Sequence, residues 1–251
     1  MKRITAILLT ALMLCAALSA CSININLNQP TEQPAETSAP ATQAATAAPE
    51  TQPAPTAAPI GKLSDYVRDA ASSTVTLSDG REQVYRFPEI LLASADAEAI
   101  NKELADRFHK DIPSNEEQAL NLTTLDYEAY LNGSTLSVVT IIGYNGGNTY
   151  GVAYNIDVQT GKRMDNEAVA AAYGMAYSTA MTDLKDELTD DYDEKWGMLG
   201  ANNDQERAKT LADENVKASL LYIDDDGDLM ALVETYAAVG GGHFIMQVEV
   251  D

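Results

Sequence analysis

Apolar positions in residues 136–162, LSVVTIIGYNGGNTYGVAYNIDVQTGK, recur at every second residue, which predicts two strands joined by a glycine-rich turn. In the second strand Tyr150, Val152, Tyr154, Ile156 and Val158 share one face, and Gly151, Ala153, Asn155 and Asp157 share the other. One face is a core face and the other is shallow. The first strand places Leu136, Val138 and Ile142 on one side and Val139 and Ile141 on the other, as expected of an interior strand covered on both faces.

Around this hairpin the pattern gives a strand, a helix, three strands, two helices and three strands. Residues 81–87 read as a short strand stopped by Pro88. Ser94 is placed to cap a helix whose Ile100, Leu104 and Phe108 share a face, with Glu98/Lys102 and Glu103/Arg107 as i,i+4 pairs and Pro113 marking its end. Residues 127–131 form a strand that turns through Asn132-Gly133 into the central hairpin. Beyond Thr160-Gly161, Asp165 caps a second helix with the stripe Val169, Tyr173, Ala176, Ala180, Leu184 and Leu188. The acids of residues 186–194 are expected to fray it, leaving Trp196, Met198 and Leu199 as an apolar loop before a helix over residues 204–219. Residues 220–223, 229–236 and 244–250 read as the closing strands. The expected fold is α+β, a mostly antiparallel sheet arrangement with packed helices, forming a single domain of two intimately packed halves over residues 61–251.

Composition changes the picture at the N-terminus. Residues 1–20 carry Lys2 and Arg3, an apolar run and Leu18-Ser19-Ala20 directly before Cys21, the layout of a secretory signal. The pattern resembles the lipobox of bacterial lipoproteins, which implies cleavage before Cys21 and lipid on its thiol and new amino group, holding the protein at a membrane surface. An ordinary signal peptide that contains a cysteine is the alternative. Residues 22–60 hold seven of the nine prolines and almost no large apolar side chains, so with Cys21 they read as a disordered tether over residues 21–60. At about 3 Å per residue those 39 residues reach on the order of 100 Å when extended. Cys15 leaves with the signal and Cys21 is acylated, which excludes disulfides, thiol catalysis and cysteine zinc sites from the mature chain.

The chain has 38 acidic against 16 basic residues, a formal charge of −22. Loss of Lys2 and Arg3 takes it to −24. Nucleic acid is excluded as a partner for such a surface, which serves solubility or the capture of cationic partners.

Candidate chemistry is sparse. His109, near a helix end, reads as a solvated or capping group, whereas His243 follows Gly240-Gly241-Gly242, where a partner can approach the backbone. In the Asp224–Asp228 segment, an EF-hand register would put Tyr222 at position one and Val233 at position twelve, so a strand-connecting turn is expected there and no metal site. Gly146-Gly147 lacks the following Gly-Lys-Ser/Thr of a phosphate loop. No cofactor motif and no catalytic constellation stands out, although so acidic a fold can bring two carboxylates together. Tyr144, Tyr150, Tyr154, Tyr173 and Tyr177 are candidates for an aromatic surface that binds glycans or proteins, with most of them in the core by periodicity.

The run Tyr144-Asn145-Gly146-Gly147, then Tyr150-Gly151 and Asn155-Ile156-Asp157-Val158-Gln159-Thr160-Gly161-Lys162, is similar to the signature of a bacterial extracytoplasmic domain of unknown function. Phe87-Pro88-Glu89-Ile90 and the helix after it resemble that domain's opening, and Asp226-Gly227 between strands resembles its second half, so the likeness covers about residues 84–250. Such domains form the outer part of some lysozyme-sensing anti-sigma factors, accompany some peptidoglycan deacetylase domains and occur in many lipoproteins. The chain departs from the pattern in lacking a sigma-binding segment, a transmembrane helix and a deacetylase domain. Where relatives often read Gly-Gly-x-His-Gly, it reads Gly146-Gly147-Asn148-Thr149-Tyr150-Gly151, without histidine.

These readings converge on an extracytoplasmic, lipid-anchored, monomeric surface protein whose domain binds without catalysis. The expected partner is a cationic envelope-active protein such as lysozyme, or peptidoglycan, with Tyr144, Asn145, Gly146, Gly147, Asn148, Tyr150 and His243 as candidate binding residues. A carboxylate-dependent enzyme acting on wall glycans and a structural wall-interaction module are the alternatives.

Overall fold

Burial of the central hairpin on both faces dictates a stack of layers. The computed structural model describes residues 60–200, 203–240 and 242–251, so the signal, Cys21 and the tether lie outside the described residues. Strands β3 (Leu122–Asn132), β4 (Thr135–Tyr144), β5 (Thr149–Asp157) and β6 (Lys162–Met164) form an antiparallel meander in sequence order. One face presents Leu136, Val138, Ile142, Val152, Tyr154 and Ile156 to a core shared with the hairpin β1 (Val67–Thr76) and β2 (Glu82–Ile90) and with helix α1 (Ala95–Phe108). The other face presents Val139, Ile141 and Ala153 to Tyr222 and Leu232 of a second antiparallel sheet, β7 (Leu220–Ile223), β8 (Leu229–Tyr236) and β9 (His243–Glu249), in the order β7-β8-β9. Gly151 is required at this junction, since a Cβ there would lie 2.8 Å from Leu232 Cδ2.

The far face of the second sheet carries Leu221, Ile223, Ala231, Val233, Met246 and Val248. Helices α3 (Asn166–Tyr173), α4 (Tyr177–Met198) and α6 (Asp213–Ala218) cover it with Val169, Ala170, Ala180, Leu184, Leu188 and Val216. The architecture is α+β, as the alternation predicts.

Polar groups join the two sheets. Asn155, on the shallow face of β5, is buried, accepts from Ser137 Oγ at 2.8 Å and donates to the Leu221 carbonyl at 2.7 Å. Ser137 Oγ in turn accepts the Ile223 N–H at 3.1 Å. Two outward backbone groups of the outermost strand β7 are thereby satisfied by the sheet it packs against, and the Leu221 N–H is taken by Asn166 Oδ1 of α3 at 3.0 Å.

Several boundaries differ from the sequence reading. Strand β1 and helix α2 (Glu116–Asn121) are additional, as is β6. Pro88 does not stop β2, which runs on to Ile90, because Pro88 pairs with Asp69 beside a register shift between Asp69 and Ala71, where a missing N–H costs no ladder bond. The second helix is two helices. Gly174, at φ 98°, ends α3 and donates to the Ala170 and Ala171 carbonyls. The acidic segment does not fray α4, whose buried stripe continues from Leu184 and Leu188 to Tyr192 and Trp196. Burying two aromatic side chains stabilises by about 1.5–3 kcal/mol each, against a few tenths for each like-charge pair. Trp196 and Met198 are therefore helical, and residues 204–219 split into α5 (Asp204–Thr210) and α6. The caps at Ser94 and Asp165 form as expected, each side chain accepting from the N–H three residues on.

Candidate functional site

Sheet docking brings together candidate residues nearly a hundred positions apart. The turn of residues 145–148, between β4 and β5, lies against the turn that links β8 to β9. Gly146 and Gly147 have φ of 103° and 94°, which favours glycine, and a Cβ on Gly240 would sit 2.9 Å from the Gly146 carbonyl. Asn148 Oδ1 accepts the His243 N–H at 3.3 Å, and Thr149 Oγ1 accepts the Ile245 N–H at 2.7 Å. His243 Nδ1 lies 2.9 Å from the Thr149 carbonyl, and because a carbonyl can only accept, Nδ1 carries the proton. Nε2 then faces the Glu234 carboxylate at 3.4 Å.

The rings form a row. Tyr144 meets Tyr150 edge-on at 6.0 Å, Tyr150 stacks on His243 at 4.5 Å, and Tyr236 meets the imidazole edge-on at 5.4 Å. Lys209 Nζ closes the row, 3.4 Å from the centre of the Tyr236 ring. Tyr144 is exposed and the other rings are half-buried, so the row offers ring edges, faces and phenol groups to a partner. Burial raises the Tyr144 and Tyr236 phenols above their usual range, with Asp111 acting further on the first and Glu234 on the second. Behind the row, Trp196 packs on Phe244 at 4.6 Å, and the Tyr192 hydroxyl donates to the Tyr236 carbonyl at 2.7 Å.

Other candidates go elsewhere. Tyr154 is core, while Tyr173 and Tyr177 border the helices over the second sheet. His109 is exposed at the end of α1, edge-on to Phe87. Asn145 is exposed, its N–H bonded to the Asn121 carbonyl. Asp224 Oδ1 accepts the N–H groups of Asp226, Gly227 and Asp228 at 3.1, 3.0 and 2.9 Å, which makes the acidic segment a self-closed turn. Among the described residues no group of three or more His, Cys, Asp or Glu side chains is arranged to hold a metal ion. No helix among them is long and apolar enough to cross a membrane.

Two features were not picked out from the sequence. The first is an open cleft of about 470 Å³ lined by Asp191, Glu194, Lys195 and Met198 of α4, Ile141 of β4 and Ile245, Met246 and Gln247 of β9. A smaller hollow of about 210 Å³ shares Ile141 and Gln247 with it and extends over Thr124, Asp126 and Glu128 of β3. The second is a crowded acidic face. Burial raises Asp191, with Glu194 and Asp190 adding to it, and raises Glu187, with Asp251 and Asp190 adding to it. Repulsion from Asp251, then burial and Asp228, raises Glu249. Asp183, Glu187, Asp191 and Glu194 recur at helical spacing, a signal hidden by the expectation that this segment frays. Tyr236 and Lys209 gave no local signal, because the pairing of β8 with β9 and the packing of α5 on β8, not sequence spacing, bring them to His243. No family model matches this chain, and no curated protein matches it.

Proposed function

We propose that the chain is an extracytoplasmic lipoprotein, tethered to a bacterial membrane by lipid on Cys21, whose folded part binds a cationic envelope-active protein of the lysozyme kind without chemistry of its own. The observation that carries this reading is one-sided charge. Residues 165–251 hold 20 acids against 5 bases, and carboxylates from α4, the Asp224–Asp228 turn and the C-terminus crowd one another on one face. A cationic partner relieves that repulsion, and the field accelerates its approach. The resemblance to the outer domains of lysozyme-sensing anti-sigma factors points the same way.

The test is binding of the detergent-solubilised full chain to lysozyme and to peptidoglycan across a salt series, beside an equally acidic control protein. Saturable lysozyme binding that survives physiological salt and exceeds the control is the expected result. Binding that vanishes with salt and equals the control refutes the reading. A carboxylate-dependent enzyme acting on wall glycans is the second reading, favoured by the cleft that holds Asp191 and Glu194. Both acids stand on one wall and one helical turn, whereas glycoside hydrolysis places carboxylates on opposite sides of the scissile bond, so binding is the better supported. Release of sugar from peptidoglycan, lost in Asp191→Asn, would reverse that order.

A further inference from the structure

The cleft beside β9 follows from strand geometry. Ile245, Met246 and Gln247 are consecutive, and their side chains point alternately to opposite faces of the sheet, yet all three line one cleft. Three neighbours do so when the cleft runs along the edge of the strand. β9 is the last strand of its sheet, with β8 on one side. The N–H groups of His243 and Ile245 point away from β8, since they bond to Asn148 and Thr149 side chains of the neighbouring hairpin. Backbone direction alternates with the same period of two, so Gln247 and Glu249 also turn their N–H and C=O groups outward. Past Thr149, no strand among the described residues pairs with those groups. The open edge from Ile245 to Glu249 spans four residue steps, about 14 Å.

The two walls differ chemically. On the α4 side stand Asp191 and Glu194, with Lys195 lying over the Trp196 ring at 5.2 Å and attracting Asp191 from there. On the other side stands Ile141, with Glu128 in the smaller hollow beyond it. A strand laid along β9 presents alternate side chains to these two walls.

We propose that the free edge of β9 is a strand-accepting groove that takes an extended segment of alternating basic and apolar residues from a partner protein, by backbone pairing at Gln247 and Glu249. Basic side chains meet Asp191 and Glu194, and apolar ones lie on Ile141. The edge supplies affinity through main-chain hydrogen bonds and the walls supply the sequence pattern. This deepens the reading of the protein as a binder of cationic partners and rests on it for the nature of the partner.

Trp196 is the only tryptophan in the chain and packs on Phe244 of β9, so its fluorescence reports on the groove. The experiment titrates the full chain, at physiological salt, with an eight-residue peptide of alternating Val and Lys and with a peptide of the same composition in two blocks. The alternating peptide should bind at least tenfold more tightly, and hydrogen exchange should slow at Gln247 and Glu249 when it binds. Gln247→Pro removes an outward N–H at an edge position where proline is tolerated, and it should weaken binding at least tenfold while far-UV circular dichroism is unchanged. Asp191→Asn with Glu194→Gln should weaken it several-fold. Equal affinity for the two peptides, or binding with no slowing of exchange at Gln247 and Glu249, overturns the groove. Lysozyme binding is measured on the same variants. If it stands in Gln247→Pro while the alternating peptide fails on the unmodified chain, the groove is wrong and the wider reading holds; if the peptide binds as described and no cationic protein does, the wider reading is wrong and the groove holds.

Discussion

Residues 60–164 and residues 165–251 carry charge in opposite ways. The first region has 15 acids and 9 bases, and four of those bases are matched across elements: Arg68 with Glu89, Arg86 with Asp126, Arg163 with Glu103 and Lys162 with Asp96. Its carboxylates are held below their usual range where hydrogen bonds gather on them, as at Asp79 and Glu116 through backbone N–H groups. The second region has 20 acids and 5 bases, and α4 and the C-terminus carry carboxylates pushed the other way. Exposed pairs stabilise by only about 0–1 kcal/mol each, so pairing is not what holds the first region together. The difference lies in the field each region projects, with the unbalanced region facing outward on the helices that cover β7–β9.

The largest test acts at the joint between the regions. Asn155→Ala leaves the Leu221 carbonyl and Ser137 Oγ short of partners inside the sheet interface, and the chain should lose about 2–3 kcal/mol in urea unfolding. Tyr222 packs at the same interface, so its ring resonances should shift in the variant. A loss below 0.5 kcal/mol would mean that apolar packing alone joins the sheets.

Removing a carboxylate should have opposite signs in the two regions. Asp157 accepts from Ser134 Oγ at 2.6 Å and from the N–H groups of Gln159 and Thr160 at 3.0 and 2.7 Å, closing the turn after β5. Asp157→Ala should destabilise by about 1–2 kcal/mol, read by chemical denaturation. Glu249→Gln removes a charge crowded by Asp251, Asp228 and Asp224 and should leave stability equal or raise it by up to about 0.5 kcal/mol. If both variants lose stability alike, the contrast fails.

The candidate site can be disturbed without touching either charge pattern. Gly240 has φ 53°, and its added Cβ would press on the Gly146 carbonyl, so Gly240→Ala should cost about 1–2 kcal/mol. The amide shifts of Asn148, Thr149 and His243 should move together, because the two turns separate.

Legibility in the sequence followed the range of the signal. The alternation of residues 136–158 disclosed a strand pair buried on both faces, and the hydroxyl of Ser94 and the carboxylate of Asp165 marked helix starts. Pro88 misled because the rule about proline in strands does not say where a bulge will fall. The acids after Asp186 misled because local repulsion was set against a stripe counted only as far as Leu188, two buried aromatics short. His243 stood out after its glycines, but its stacking on Tyr150 depends on contacts across 93 positions of chain. The edge of β9 was invisible for the same reason, since a strand's place in its sheet is a fact about pairing.

The smallest effect is also the most telling about charge. Asp183, Glu187, Asp191, Asp228 and Glu249 have raised pKa values, so the folded chain binds more protons than the unfolded one just above the ordinary carboxylate values of 3.8 and 4.5. In that window stability falls as pH rises, the cost being absent below the ordinary values and complete above the raised ones. Asp157 is lowered despite its partial burial, through Ser134 and Thr160, and its contribution is present above 3.8 and lost as pH falls through the lowered value. Acidification from neutrality should therefore relieve residues 165–251 first and weaken residues 60–164 afterwards. The thermal midpoint, followed by Trp196 fluorescence from pH 7 to pH 3, should rise slightly toward about pH 4.5 and then fall. Combining Glu187→Gln, Asp191→Asn and Glu249→Gln should flatten the rise and leave the fall in place, whereas a midpoint that declines steadily from pH 7 in the unmodified chain would show that the burial and crowding of these carboxylates carry no free energy.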